Sequence, residues 1–158
     1  AMLQAKFFEL AKMLNSIPVS SSSDAHICPG ARFTDMPSYT NWAHEGLDYC
    51  IQNGIMSGTS ATTFSPNAPV TRQDMATILY NYAKNVLDLD VFDTADLTGY
   101  PDYSSISGYA RTAMSWAVAQ GLICGADNGM GVVTLQPKGD ATRAQTAAVI
   151  MRFCQNVL

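Results

Sequence analysis

The chain writes one motif twice. From Phe33 to Leu87 it runs Phe-Thr-Asp, a segment bearing Trp42 and Tyr49, Gly-Ile-x-x-Gly at Gly54 to Gly58, Phe-Ser-Pro at Phe64, and Val-Thr-Arg-Gln-Asp-Met-Ala at Val70. From Tyr100 to Leu158 the same order of aromatic, Asp, Gly, Pro and Thr-Arg landmarks returns. Asp35 recurs as Asp102, 67 residues on, and Arg72 recurs as Arg143, 71 residues on, so the second copy holds four more residues in its middle loop. A fixed internal period implies units too small to bury a core alone, which must pack on one another.

Each copy predicts two helices. In the first, Trp42, Gly46, Tyr49 and Asn53 share a face beside an apolar stripe of Ala43, Leu47, Cys50 and Ile51, and Gly54 caps the end. The second copy reads Tyr109, Ala113, Trp116 and Gln120, then Gly121, with the two aromatics exchanged at the same spacing. A second helix starts at Thr71 and again at Thr142. Its stripe is Met75, Ile78, Leu79, Tyr82 and Val86, matched by Thr146, Val149, Ile150, Phe153 and Val157. Near the N-terminus, Phe7, Leu10, Ala11 and Leu14 fall in the register of Met75, Ile78, Leu79 and Tyr82, as in the closing helix of an earlier, truncated copy. The expected fold is therefore all-α, with helices over roughly Leu3 to Asn15, Thr71 to Leu87 and Thr142 to Leu158 burying their stripes as a central three-helix bundle. Its organisation is a truncated copy over 1–19, a Ser-rich linker over 20–31, a full copy over 32–87, an acidic connector over 88–99 and a second full copy over 100–158.

Composition removes several functions. The 158 residues are 47% hydrophobic, enough for one compact unit, and the net charge of −4 with scattered Lys and Arg lacks the basic footprint of a nucleic-acid binder. No apolar run approaches the roughly 20 residues of a membrane span. No charged and apolar leader opens the chain, so any export signal is expected before Ala1. Cys28, Cys50, Cys124 and Cys154 have no C-x-x-C spacing and do not recur between copies, which favours unpaired thiols over a disulfide framework. Cys28 with His26 or His44 offers a weak nucleophile pair with no distinctive orienting residue. Asp88, Asp90, Asp93 and Asp96 lack the glycine and terminal Glu of a calcium loop. No phosphate loop, dinucleotide fingerprint or zinc pattern occurs, and no cofactor, metal or catalytic residue is expected.

Phe-Thr-Asp before a Trp-bearing helix, Gly-Ile-x-x-Gly, Phe-Ser-Pro and Val-Thr-Arg-Gln-Asp-Met-Ala together closely resemble the S-layer homology repeat. The resemblance covers two full repeats and the last helix of a third. It implies a pseudo-threefold assembly around a central three-helix bundle, with grooves that bind secondary cell-wall polymers, often pyruvylated, on Gram-positive-type envelopes. An extracellular, wall-bound anchor is implied, not an enzyme. A structural or self-associating protein-interaction module is the alternative; an envelope hydrolase would need residues outside this segment.

The Thr-Arg motif also has a reading of its own. Thr71 with Asp74, and Thr142 with Gln145, have capping-box spacing. Arg72 and Arg143 then fall in the first helical turn, where a cation opposes the helix dipole at a cost of roughly 0.3 to 1 kcal/mol. Either backbone N–H groups and guanidinium converge on an anion such as a pyruvate ketal, or the arginines form internal salt bridges to Asp35 or Asp102. Trp42 and Tyr109 suit sugar stacking or core packing. Gly58 and Gly125 suit close approach of a sugar or a plain turn. The second copy lacks the acid of the box, and Leu3 and Gln4 stand at the Thr-Arg positions of the N-terminal segment, so at most two competent sites are expected.

Overall fold

The computed structural model describes residues 28–127 and 129–158. Copy one supplies α1 (His44–Gln52) and α2 (Arg72–Asn85); copy two supplies α3 (Arg111–Ala119) and α4 (Arg143–Asn156). Short 3-10 turns lie at Pro29–Arg32, Tyr103–Ser105 and Gly108–Ala110. The described part is thus helical, as expected. The N-terminal helix placed at Leu3 to Asn15, and most of the 20–31 linker, lie outside the described residues.

Both closing helices start as their sequences dictate. Thr71 and Thr142 are N-caps whose side chains accept from the backbone N–H of Asp74 and Gln145, and those side chains reach back to the cap N–H, completing a capping box in each copy. Gly54 and Gly121 sit at φ +63° and +66° just past α1 and α3, the left-handed geometry that ends a helix at little cost to glycine. The closing helices then grip those ends. Asn81 Nδ2 donates to Ile55 O and Arg152 Nη1 to Leu122 O, while Asn85 Nδ2 donates to Gly54 O and Asn156 Nδ2 to Gln120 O. The first pair meets equivalent carbonyls with different side chains, and the second uses equivalent asparagines with the acceptor one residue earlier in copy two.

The opening helices start later than the apolar periodicity suggests. Asn41 Oδ1 accepts from Ala43 N–H before α1, and Tyr109 lies in a 3-10 turn before α3. Local side-chain and turn bonds take the place of the first helical turn, so Trp42 and Tyr109 stand on the rims rather than along the helices. Seven residues on, Tyr49 is half-buried and Trp116 is buried. Trp116 is 1% exposed and packs edge-on against Tyr80 of α2 with ring centroids 5.7 Å apart.

The core joins the copies. Met75, Ala76 and Ala83 of α2 cluster with Met114, Trp116 and Ala117 of α3, and Val149 and Phe153 of α4 close the cluster, with Tyr82 tilted 6.2 Å from Phe153. The 88–99 connector contributes to it: Val91 and Leu97 are buried, whereas Asp88, Asp90, Asp93 and Asp96 are exposed. Cys28, Cys50, Cys124 and Cys154 are unpaired thiols. One element has no counterpart in the sequence expectations. β1 (Ala126–Asp127) pairs antiparallel with β2 (Val133–Thr134) in the longer loop of copy two, and two-residue strands are too short to show period-two alternation. No helix among the described residues is long and apolar enough to cross a membrane.

Candidate functional site

The start of α2 is held by the loop of the other copy. Arg72 N–H donates to Gly139 O and Gln73 N–H to Pro137 O, each at 2.9 Å, and Ala141 N–H donates to Val70 O. The Arg72 side chain runs the same way: Nε donates to Leu135 O at 2.8 Å and Nη2 to Cys124 O at 2.9 Å. Burial lowers the guanidinium's pKa from its ordinary value, and nearby Asp102 acts in the opposite sense. The orphan N–H groups and the cation of this helix start are therefore engaged by carbonyls within the chain.

Asp35 and Asp102 have a duty within their own copies. Asp35 accepts from Phe64 N–H at 2.8 Å and Ser65 N–H at 2.7 Å; Asp102 accepts from Leu135 N–H at 3.0 Å and Gln136 N–H at 2.7 Å. Each carboxylate pins the loop ahead of the closing helix, where Ser65 and Gln136 carry φ of 63° and 51°. The Phe64 bond, helped by that of Ser65, holds Asp35 below the usual carboxylate range. Among the described residues the arginine-to-aspartate alternative is met by a different arrangement, in which Arg72 grips the Leu135 carbonyl and Asp102 the Leu135 amide.

A groove of about 450 Å³ opens beside this joint. Its walls are Gly58, Ser65 and Pro66 of the copy-one loop, Asp74, Thr77 and Asn81 of α2, and Tyr109 arriving from copy two. Tyr109 is 63% exposed, and its hydroxyl donates to Asp74 Oδ1 and accepts from Gln73 Nε2 at 3.1 Å. Burial of the hydroxyl, with the Asp74 bond, pushes its pKa up to about 12. Buried Gln73 ties the corner: Nε2 donates to Ser107 Oγ and Oε1 accepts from Ser107 N–H, both at 3.0 Å. Sequence reasoning did not select Gln73. Its signal was a departure, since copy two has Ala144 at the equivalent position.

Trp42, the repeat equivalent of Tyr109, is 93% exposed and borders a second hollow with Asp35, Asn41, Pro66 and Asn67. Gly58 and Gly125 are close-approach positions. A Cβ at Gly58 would lie 2.2 Å from Phe33 Cε1 and 2.5 Å from Thr63 O; at Gly125 it would lie 2.2 Å from Val133 Cγ1. Arg143 differs from Arg72. It is exposed at the start of α4, and among the described residues its guanidinium meets no partner, although Thr142 caps the helix beside it.

The two copies, with paired capping boxes, aspartate-pinned loops and a shared groove, define a helical repeat module with a groove at its inter-copy face. The family model described as the S-layer homology domain matches residues 32–76 and 99–147, and the chain belongs to that family. It is 33% identical over 119 residues to a surface-layer 125 kDa protein of Lysinibacillus sphaericus, which covers 73% of this chain and 9% of that protein. It is 34% identical over 113 residues to an endoglucanase of Bacillus sp. (strain KSM-635), covering 70% and 11%. An amylopullulanase of Thermoanaerobacterium thermosulfurigenes matches at 30% over 118 residues, covering 75% and 6%. The chain thus spans about a tenth of the length of these relatives, a surface-layer protein and two enzymes.

Proposed function

We propose that this chain is a non-covalent anchor that attaches a larger exported protein to the wall of a Gram-positive-type bacterium by binding a wall polysaccharide. The observation that carries the reading is the inter-copy groove, walled by both repeats of a chain of this family and edged by an exposed aromatic. Tyr109 offers an accessible ring for a pyranose face. Ser65, Asp74, Thr77 and Asn81 offer hydrogen bonds to hydroxyls. Trp42 extends the same chemistry to the neighbouring hollow.

An anionic substituent, such as a pyruvate ketal, is assigned to the start of α4, where Thr142 and Arg143 combine helix-start polarity with an accessible guanidinium. Arg72 and Thr71 support the groove by holding the loop of copy two. Asp35 and Asp102 shape the loops, and Gly58 and Gly125 let them close. The net charge of −4 favours local recognition over bulk attraction to a polyanion. Binding, not catalysis, is the role of the module, and the two enzymes among its relatives match it over a small part of their length.

Sedimentation with isolated wall sacculi, intact or acid-stripped of secondary polymer, tests this. Binding to intact walls only, weakened by Tyr109→Ala, Trp42→Ala or Arg143→Ala in folded protein, is expected. Indifference to stripping, or full binding by all three variants, overturns it. Ile150 and Met151 on α4 are half-exposed and favour a second reading, self-association through that face; a concentration-independent monomer mass in light scattering removes it.

A further inference from the structure

Cys28, His44 and Asp48 match no metal signature in sequence, yet the fold brings them to one point between the Pro29–Arg32 turn and α1. Cys28 Sγ lies 3.8 Å from His44 Nε2 and 3.4 Å from Asp48 Oδ1, and His44 Nε2 lies 3.2 Å from Asp48 Oδ2. His44 and Asp48 are buried, and Cys28 is half-buried. For a tetrahedral zinc with Zn–S of about 2.3 Å and Zn–N or Zn–O of about 2.0 to 2.2 Å, neighbouring ligand atoms sit about 3.3 to 3.6 Å apart. Cys28 meets one Asp48 oxygen and His44 the other, each near such a separation, and one ligand atom from each of the three residues lies within 4.8 Å of the other two.

The surroundings fit ligation. His44 Nδ1 is 2.8 Å from Pro37 O, the backbone bond that fixes the tautomer of a metal-bound imidazole and turns Nε2 toward the other two groups. With Nδ1 so used, Nε2 faces a carboxylate oxygen of Asp48 at 3.2 Å, a pair of ligand atoms that one metal ion can bridge. Gly30 N–H donates to Asp48 Oδ1 at 3.0 Å and orients the carboxylate, and a Cβ at Gly30 would come within 2.9 Å of that oxygen. The Tyr39 ring packs on the imidazole with centroids 4.5 Å apart.

Copy two closes the same joint without ligands. Its equivalents are Ala95, Arg111 and Ser115, and there Ser115 Oγ donates to Ala95 O while Ala95 N–H donates to Ser115 O. The joint needs a tie, and in copy one the tie is made of metal-ligating atoms.

We propose that Cys28, His44 and Asp48 bind one zinc-type divalent ion that staples the entry of copy one to α1, these three supplying the ligands among the described residues. Thiolate, imidazole and carboxylate together suit Zn²⁺ or Co²⁺ rather than Ca²⁺ or Mg²⁺. Binding displaces the Cys28 S–H proton to solvent.

The full chain, stripped with EDTA and titrated with Co²⁺, is expected to take one ion, with tetrahedral ligand-field bands and a thiolate-to-metal charge-transfer band, both lost on adding Zn²⁺. Zinc is expected to raise the Tm of the stripped protein. Cys28→Ser removes the charge-transfer band, His44→Ala and Asp48→Asn each weaken binding at least about tenfold, and Cys124→Ser and Cys154→Ser bind as the parent does. X-ray absorption of the zinc-loaded parent, which depends on no variant folding, is expected to find one sulfur at about 2.3 Å. No stoichiometric uptake, a sulfur-free shell, or a charge-transfer band that survives Cys28→Ser overturns the proposal.

Discussion

Replacing Arg72 by alanine removes a half-buried guanidinium that bonds Leu135 O and Cys124 O of the other copy. A hydrogen bond to a charged group contributes roughly 1.5 to 3 kcal/mol, and an acceptor left without one indoors bears the desolvation cost. Cys124 is exposed, so water replaces the lost donor there. Leu135 is fully buried, so its carbonyl loses most of that interaction. Relief of the cation's opposition to the α2 dipole returns roughly 0.3 to 1 kcal/mol, leaving a net destabilisation of about 2 kcal/mol. At about 2 to 4 °C per kcal/mol for a chain of this size, Tm is expected to fall by roughly 4 to 8 °C. Arg143→Ala removes the repeat equivalent, which is exposed and unpartnered among the described residues, and is expected to stay within about 0.5 kcal/mol of the parent. Urea and thermal unfolding of both variants, followed by circular dichroism, measure the difference. Equal losses in the two variants, or none in Arg72→Ala, would refute the assignment of one arginine to the joint and the other to the surface.

The glycines offer a sharper steric contrast. Gly58→Ala drives a Cβ into the buried Phe33 ring and the Thr63 carbonyl and is expected to cost about 1 to 3 kcal/mol, whereas Gly46→Ala, on α1 with nothing within 4 Å, is expected to stabilise by about 0.5 to 1 kcal/mol in the same denaturant titration. Asp35, held below its ordinary pKa by loop N–H groups, contributes stability that is present above the unfolded carboxylate value and is lost as pH falls through the folded value. Asp35→Asn is therefore expected to flatten the acid limb of the stability profile; a limb as steep as the parent's counts against the loop-pinning role. Tyr109, raised to about 12, contributes stability below the unfolded value near 10 that is lost as pH climbs toward 12. Tyr109→Phe is expected to remove that alkaline loss and to delete a phenol titrating at about 12 from the ultraviolet titration.

Much of the local structure is written in short-range chemistry. Thr71 with Asp74 and Thr142 with Gln145 specify helix starts because a hydroxyl and an acceptor three residues on satisfy each other's backbone. Gly54 and Gly121 specify helix ends because the left-handed turn is strained for other residues. The starts of α1 and α3 were less legible. The apolar period runs through Trp42 and Tyr109, but turn bonds before each helix compete with its first turn and leave both rings outside it.

The sequence by itself determined the two-copy organisation, the helical class, the closing helices and the aromatic and arginine positions, since each rests on periodicity or on bonds within a few residues. Tertiary structure alone decided what those residues meet. Arg72 and Arg143 share the Thr-Arg motif, yet one is clamped onto Leu135 and Cys124 and the other is exposed, because among the described residues the start of α2, and not that of α4, lies against the loop of the other copy. Likewise Cys28, His44 and Asp48 are grouped by the packing of the Pro29–Arg32 turn on α1, a contact between segments that no spacing rule connects. Distances between residues far apart in the chain are set by which apolar faces bury one another, and that is a property of the whole fold.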